Sequence, residues 1–414
     1  MDKETLRLII NDQQKVFNDN AGLIERDISI DKYLKGNEII IISGVRRCGK
    51  SSLLKLISKK IPGKKVYINF DDIRFTDFNM NNFSDIDNMI EQGSNTTYFL
   101  DEIQNIEYWE KWVNNLNAKG IKVFVTGSNS KLLSSEISTY LTGRNKIIKL
   151  YPFSFTEFLR LKGISIDYKT SSEKSDIVSS FHKYLDIGGF PLVIRNDDTE
   201  LTKQYFEDIL NKDIIRRYHI RKVKELNDLI VYLFSHAGNI YSYSTLKQVS
   251  SIKSLSMIKN YIHFLEEVFV AKKVDLFDYS IKKQKTSSSK FYSLDIGFLN
   301  VIAFNFTENR GKRLENLIFI ELIRKGYNVY YHNKIRECDF VIKEGLKITK
   351  ALQVCVNISD PQTRKREIDG LMDAMTTYKL QEGIIITLDQ EENLKLKNKK
   401  IEVIPAWKWL LGKG

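Results

Sequence analysis

A chain of 414 residues with 42% hydrophobic and 28% charged side chains is too long for one ordinary core and divides into two or three domains. Its three cysteines, Cys48, Cys338 and Cys355, include no closely spaced pair, and no run approaches the roughly 18 apolar residues of a membrane span. A zinc knuckle, a redox dithiol and a membrane partner are thereby excluded, and the formal charge of +12 leaves two accounts open, a nucleic-acid partner or a compositional bias in which Lys outnumbers Arg by 47 to 17.

The N-terminus runs straight into a mixed helical pattern, without the basic and apolar blocks of a signal peptide, so a cytoplasmic protein is expected. The run from Glu38 to Ser43 is β-branched and apolar and ends in glycine, which predicts a strand buried on both faces of a parallel sheet. Beyond Lys60 the pattern alternates: strand 65–70, a loop and helix to Glu91, strand 96–101, helix 109–118 and strand 122–126. That alternation predicts a parallel α/β fold. Helical patterns then dominate from Phe155 to Leu233, interrupted by the turn Gly188-Gly189-Phe190-Pro191. Two helices, 244–249 and 254–268, followed by strands 270–277 and 290–294, read as a winged helix. The remainder carries a helix 315–325, strands 329–332, 339–343 and 351–357, and a further helix and strand. The expected domains are therefore 1–155, 156–235, 236–305 and 306–414.

Gly44, Val45, Arg46, Arg47, Cys48, Gly49, Lys50 and Ser51 satisfy G-x-x-x-x-G-K-[ST] between a predicted strand and a predicted helix. Glycines let successive backbone N–H groups turn inward onto phosphate oxygens, and the helix beginning at Ser51 and Ser52 adds its positive end. Lys50 is expected to reach the β and γ phosphates of ATP and the Ser51 hydroxyl to ligate Mg²⁺; Cys48 reads as a small filler. Some fifty residues on, an apolar strand ends in Asp101 and Glu102, the first suited to holding Mg²⁺ and the second to orienting the attacking water. Ser128 and Asn129, after the strand ending at Thr126, either sense the γ phosphate or form a turn.

At these motifs the chain resembles the prokaryotic AAA+ superfamily ATPases related to STAND-type signalling ATPases. The resemblance rests on GVRRCGKSSLL, YFLDEIQ, VTGSNS, the stretch Leu141 to Leu159 and GGFP at 188–191. It implies an AAA+-like ATPase domain, a helical and winged-helix region, and an arginine supplied to the γ phosphate by a neighbouring domain or subunit. Arg144 is the best local match for that arginine, with Arg216 and Arg217 behind it; a surface ion pair is the alternative role. It also implies that GGFP approaches the adenine, for which a helix-ending turn is the plainer account.

Lys282, Lys283, Lys285 and Lys290 gather near the wing, with Lys253 and Lys259 on the second helix. They suit phosphate contacts to DNA, or else the module is a lid or protein contact surface, which the shortage of base-reading side chains favours. The last hundred residues resemble a restriction-endonuclease-like domain, with Glu315 on a helix and Asp339 opening a strand. Where a nuclease carries a carboxylate and a lysine, this chain has Gln353 and Cys355, so a degenerate site without nuclease activity is expected. The basic run Arg364-Lys365-Arg366 is either a nucleic-acid contact or a solvated face.

Three functions follow from the sequence. The first is an ATPase acting as a nucleotide-driven switch or motor, with self-association or a protein partner. The second is a DNA-binding regulator or defence-type protein with slow turnover. The third is an ATP-dependent nuclease.

Overall fold

The structure, a computed structural model, describes residues 1–19, 22–90, 95–128, 143–304 and 310–413. The chain forms two compact units, Met1–Pro152 and Phe153–Gly414.

The N-terminal unit is built on five strands: β1 (Ile39–Gly44), β2 (Lys64–Asn69), β3 (Thr96–Asp101), β4 (Lys122–Gly127) and β5 (Asn145–Leu150). Their order is β2-β3-β4-β1-β5, and every pairing is parallel. β1 sits between β4 and β5, which explains why all six of its residues are buried and why its sequence is an unbroken apolar run. In a parallel sheet the carboxyl ends share one edge, so Gly44, Asp101 and Gly127 lie on the same side. The strand order also reverses beside β1, and crevices at such switch points are where open α/β sheets bind ligands.

Helix Lys3–Asn18 buries Leu6, Ile9, Ile10, Gln13 and Phe17, a helical stripe, against this sheet's core. Its glutamines also serve the exposed edge of β2. Gln13 accepts from the Asn69 N–H at 2.8 Å and donates to the Asn69 carbonyl at 3.0 Å, while Gln14 accepts from the Tyr67 N–H at 3.0 Å. Edge groups that would otherwise template pairing with another chain are thus covered.

In the C-terminal unit, helical elements run from Phe155 to Ser235, including a π-helical stretch Ile209–Arg216. A three-stranded antiparallel sheet follows, ordered β6 (Ile240–Tyr241), β8 (Ser289–Ser293), β7 (Ala271–Asp275), beside helices Tyr243–Ser250 and Leu255–Glu267. A short helix, Ile281–Thr286, lies in the connection where a plain wing is expected. The last sheet is mixed and six-stranded, ordered β13 (Glu392–Leu396), β14 (Lys399–Pro405), β12 (Glu382–Thr387), β11 (Lys347–Val354), β10 (Glu337–Glu344), β9 (Asn328–Asn333). Helix Pro361–Thr377 packs on it through Leu371, Ala374 and Met375.

Candidate functional site

The loop between β1 and helix Lys50–Lys60 has the backbone a phosphate cradle needs. Gly49 has φ of 101° and Arg47 φ of 69°, both left-handed. At Gly44 a Cβ would lie 2.1 Å from the Leu150 carbonyl oxygen of β5, so only glycine fits against the neighbouring strand. No side chain caps the first turn of the following helix, which leaves its positive end bare. Arg26 braces the loop from outside, donating to the Cys48 carbonyl at 3.0 Å and the Tyr151 carbonyl at 2.7 Å. Cys48 is a fully buried filler, its thiol pushed upward by burial.

Lys50 is itself buried. Its ammonium donates to the Gly44 and Val45 carbonyls at 3.3 and 3.4 Å and pairs with Glu102 Oε1 at 3.3 Å. Burial works against that charge, but chiefly the Glu102 carboxylate outweighs it and holds the ammonium above its ordinary pKa.

Asp101 and Glu102, adjacent in sequence, are pushed in opposite directions. Burial raises the Asp101 pKa, although hydrogen bonds from Ser51, Thr126 and Tyr67 partly support its charge; the Tyr67 hydroxyl lies 2.9 Å from Oδ2. Burial also presses on Glu102, but the Lys50 charge wins and lowers it, so Glu102 is ionised at neutral pH. Buried Asp101, held by the hydroxyls of Ser51, Thr126 and Tyr67, presents with Ser51 the oxygen donors that a hard divalent cation such as Mg²⁺ takes. Glu102 has φ of 48°, a conformation costly for a long side chain, and its N–H donates to Thr126 Oγ1 at 3.0 Å.

The remaining candidates divide. Ser128 is buried one residue beyond Gly127, which pairs with Ser43, and its hydroxyl has no hydrogen-bond partner among the described residues. Asn129 lies outside the described residues. Arg144 is exposed just before β5, its carbonyl accepting from the Ile39 N–H at the start of β1. It therefore sits at the opposite sheet edge from Gly44, roughly 20 Å away along the strand, out of reach of its own unit's loop. In the C-terminal unit Arg216 is exposed and Arg217 lies 3.7 Å from Asp213. The GGFP turn is accounted for within its own unit. Gly189 N–H donates to the buried Asp295, Phe190 is buried beside Tyr205 and Phe298, and Pro191 starts a helix.

A second polar cluster lies in the C-terminal unit, at a cavity of about 870 Å³. It brings Glu315, Asp339, Gln353 and Cys355 together, as the nuclease resemblance implies. Gln353 accepts from the Asp339 N–H at 3.2 Å and donates to Glu367 at 2.6 Å; Cys355 is buried, its thiol raised to about 12 by burial. Lys290 contradicts its expected role. Instead of facing phosphates from a wing, it is fully buried and ion-paired with Glu315, Glu337 and Asp339. The basic run is likewise partly neutralised, Arg364 holding Glu392 with two 2.9 Å bonds and Arg366 pairing with Glu367.

With this geometry in place, comparison with known proteins is informative. Residues 36–159 match a family described as an AAA domain, and residues 178–309 match a domain of unknown function (DUF8612). The uncharacterized protein MJ1544 of Methanocaldococcus jannaschii is 34% identical over 413 residues, covering 94% of this chain and 92% of that protein. The chain belongs to its family. A second member, an uncharacterized protein of Haemophilus influenzae, is 31% identical over 415 residues, covering 95% of this chain and all of its own length. Among solved structures, the Thermotoga maritima RuvB Holliday junction branch migration motor aligns at 12% identity and a TM-score of 0.30, over 64% of this chain and 88% of that one. Saccharomyces cerevisiae RIF2 aligns at 10% identity and 0.27, over 44% and 78%; scores this low decide nothing about this chain. Within the family, then, the N-terminal unit carries an AAA domain on a parallel sheet. No helix is long and apolar enough to cross a membrane among the described residues.

Arg26, Tyr67 and Thr126 at the first site, and Glu337, Glu367 and the burial of Lys290 at the second, belong to no sequence motif. A Thr at the end of β4, beside the Asp-Glu strand, was the one local signal available.

Proposed function

We propose that this protein binds ATP with Mg²⁺ in the loop Gly44–Ser52 and hydrolyses it. The observation that carries the reading is the convergence of Lys50, Ser51, Asp101 and Glu102, from one strand end and one helix start, beside a single loop. Lys50 exchanges the Gly44 and Val45 carbonyls for phosphate oxygens. Ser51 and Asp101 hold the metal, which when bound offsets the charge on the β and γ phosphates. Glu102, ionised at neutral pH, orients water and takes its proton as the water oxygen bonds to the γ phosphorus and the bridging oxygen leaves with ADP. Ser128, with its spare hydroxyl at the same sheet edge, and Asn129 are assigned to the γ phosphate. Arg144, too far from its own loop, serves a neighbouring copy.

The nucleotide state is read out by the C-terminal unit, whose winged-helix segment and nuclease-like sheet act as contact modules, making the chain a switch. A DNA partner is the second reading, supported by Lys282, Lys283 and Lys285, all exposed on helix Ile281–Thr286.

The test is ATP binding and turnover by purified wild type, Lys50→Ala and Glu102→Gln. Lys50→Ala is expected to lose binding, and Glu102→Gln to keep binding while losing about 10²-fold or more in turnover. Equal loss of binding in both variants contradicts the assigned roles.

A further inference from the structure

A nuclease-like sheet implies a divalent cation between Glu315 and Asp339, and the side chains around these two acids decide whether one fits. Lys290 enters from β8, the middle strand of the three-stranded sheet, and its side chain is wholly shielded from solvent. Its ammonium lies 3.1 Å from Glu315 Oε1, 2.7 Å from Glu337 Oε1 and 3.2 Å from Asp339 Oδ1. Three donors thus meet three carboxylates contributed by two other elements, helix Arg310–Arg324 and β10.

The other oxygens of Glu315 and Asp339 are occupied too. Glu315 Oε1 also accepts from the Tyr292 hydroxyl at 2.6 Å, Oε2 accepts from Lys312 at 2.9 Å, and Asp339 Oδ2 accepts from the Val354 N–H at 2.9 Å. Lys290 and Tyr292, two apart on one strand, face the cluster together, as do Glu337 and Asp339 on β10.

A seat of this width suits an ammonium. With Lys290 in place the oxygens stand about 2.7–3.2 Å from its nitrogen, the spacing of hydrogen bonds to an ammonium, and not drawn in to the about 2.0–2.1 Å that Mg²⁺ demands or the roughly 2.3–2.6 Å of Ca²⁺. Among the described residues no group of three acid, Cys or His side chains is arranged to hold a metal ion. The metal that the nuclease resemblance implies therefore does not fit.

We infer that Lys290 is the resident cation of this cluster: its ammonium fills the seat a divalent ion would take, closes the site to metal and ties β8 to the helix and sheet that follow. The acids hold this internal charge, and the C-terminal unit is a contact module with no phosphodiester chemistry. The inference is independent of the ATP reading, since the loop at Gly44–Ser52 is identical in every variant below.

The experiment measures Mn²⁺ uptake by electron paramagnetic resonance on the full chain without nucleotide. Wild type, Asp339→Asn, Lys290→Met and the double variant Lys290→Met/Asp339→Asn are compared. Wild type and Asp339→Asn are expected to take up the same amount. Lys290→Met, freed of the ammonium, is expected to take up about one more Mn²⁺ per chain, which the double variant loses. A folded Lys290→Met that binds no more than wild type overturns the proposal. So does a wild type that binds Mn²⁺ and loses it on Asp339→Asn, the result a working nuclease site with a relocated lysine gives. If Lys290→Met does not fold, the wild-type and Asp339→Asn pair decides alone: equal uptake supports the internal cation, and unequal uptake refutes it.

Discussion

Gly44 shows how closely the candidate site is fitted to its sheet. It pairs with Leu150 of β5, and an added methyl would meet that backbone carbonyl at 2.1 Å with Cys48 Sγ behind it at 3.2 Å. A backbone oxygen of the strand paired with β1 cannot swing aside as a side chain can, so Gly44→Ala is expected to cost about 1–3 kcal/mol of stability and to weaken nucleotide binding by displacing the loop. Denaturant titration with a nucleotide-binding assay checks both, and wild-type values in both contradict the fit. The loop's place between β1 and the following helix was legible in the sequence because the G-x-x-x-x-G-K-[ST] pattern lies within one short segment. Asp101 and Glu102 were legible for the same reason. Lys290 was not. Its partners Glu315, Glu337 and Asp339 lie 25 to 49 residues along the chain, and its local setting, a serine-rich stretch among lysines, is that of an exposed loop. Arg144 was found as a residue type, but only strand pairing reveals which sheet edge it occupies.

Elements with a strong pattern on one or both faces were legible, and the others were not. β1, β3 and helix Trp109–Ala118 fall where their periodicity predicts. β5 was missed: its sequence alternates weakly, and it flanks β1 at the sheet edge with only Ile148 and Leu150 buried. In the last sheet, β9 is tied to helix Pro361–Thr377 by the fully buried His332. Its Nδ1 lies 2.9 Å from the Tyr378 hydroxyl and its Nε2 3.0 Å from Asp373 Oδ2, an arrangement that suits a neutral ring donating to the acid and accepting from the phenol. Burial lowers the His332 pKa below 6.5, the Asp373 carboxylate pulling the other way and Lys334 adding to burial. The unfolded ring takes a proton before the folded one, so this stability is present above pH 6.5 and is lost as pH falls below it. Asp295, raised to about 6 by burial, has the opposite sign, its contribution being lost as pH rises from about 4 through 6. Comparing His332→Gln with wild type isolates the histidine. Between pH 7.5 and 5.5 the unfolding free energy of wild type, from denaturant titration, is expected to fall more than that of the variant, by at most about 1.4 kcal/mol per pH unit. Parallel pH profiles would show that the ring is not held neutral.

For the whole molecule, the charge of +12 does not say where a polyanion would bind, and Arg364, Arg366 and Lys290 are engaged within the chain by Glu392, Glu367 and the acids around Lys290. The motifs carried the AAA assignment for residues 36–159; the roles of the later segments rest on pairings between distant strands, which no short motif encodes. Arg144 supplies the prediction at this scale. Exposed at the sheet edge away from its own loop, it is proposed to serve another copy, and on that proposal ATP turnover per chain is expected to rise with protein concentration. Arg144→Ala is expected to abolish that rise and lower turnover by about 10³-fold while leaving nucleotide binding intact. Turnover independent of concentration, or unchanged in the variant, removes Arg144 from the mechanism.

The most direct measurement is a crystal structure of the full chain grown with a non-hydrolysable ATP analogue and Mg²⁺. Density for a triphosphate is expected inside the loop Gly44–Ser51, with Lys50 moved off the Gly44 and Val45 carbonyls onto phosphate oxygens and a cation beside Ser51 and Asp101. A loop that stays closed on Lys50 at saturating analogue, with nucleotide elsewhere or absent, would contradict the assignment.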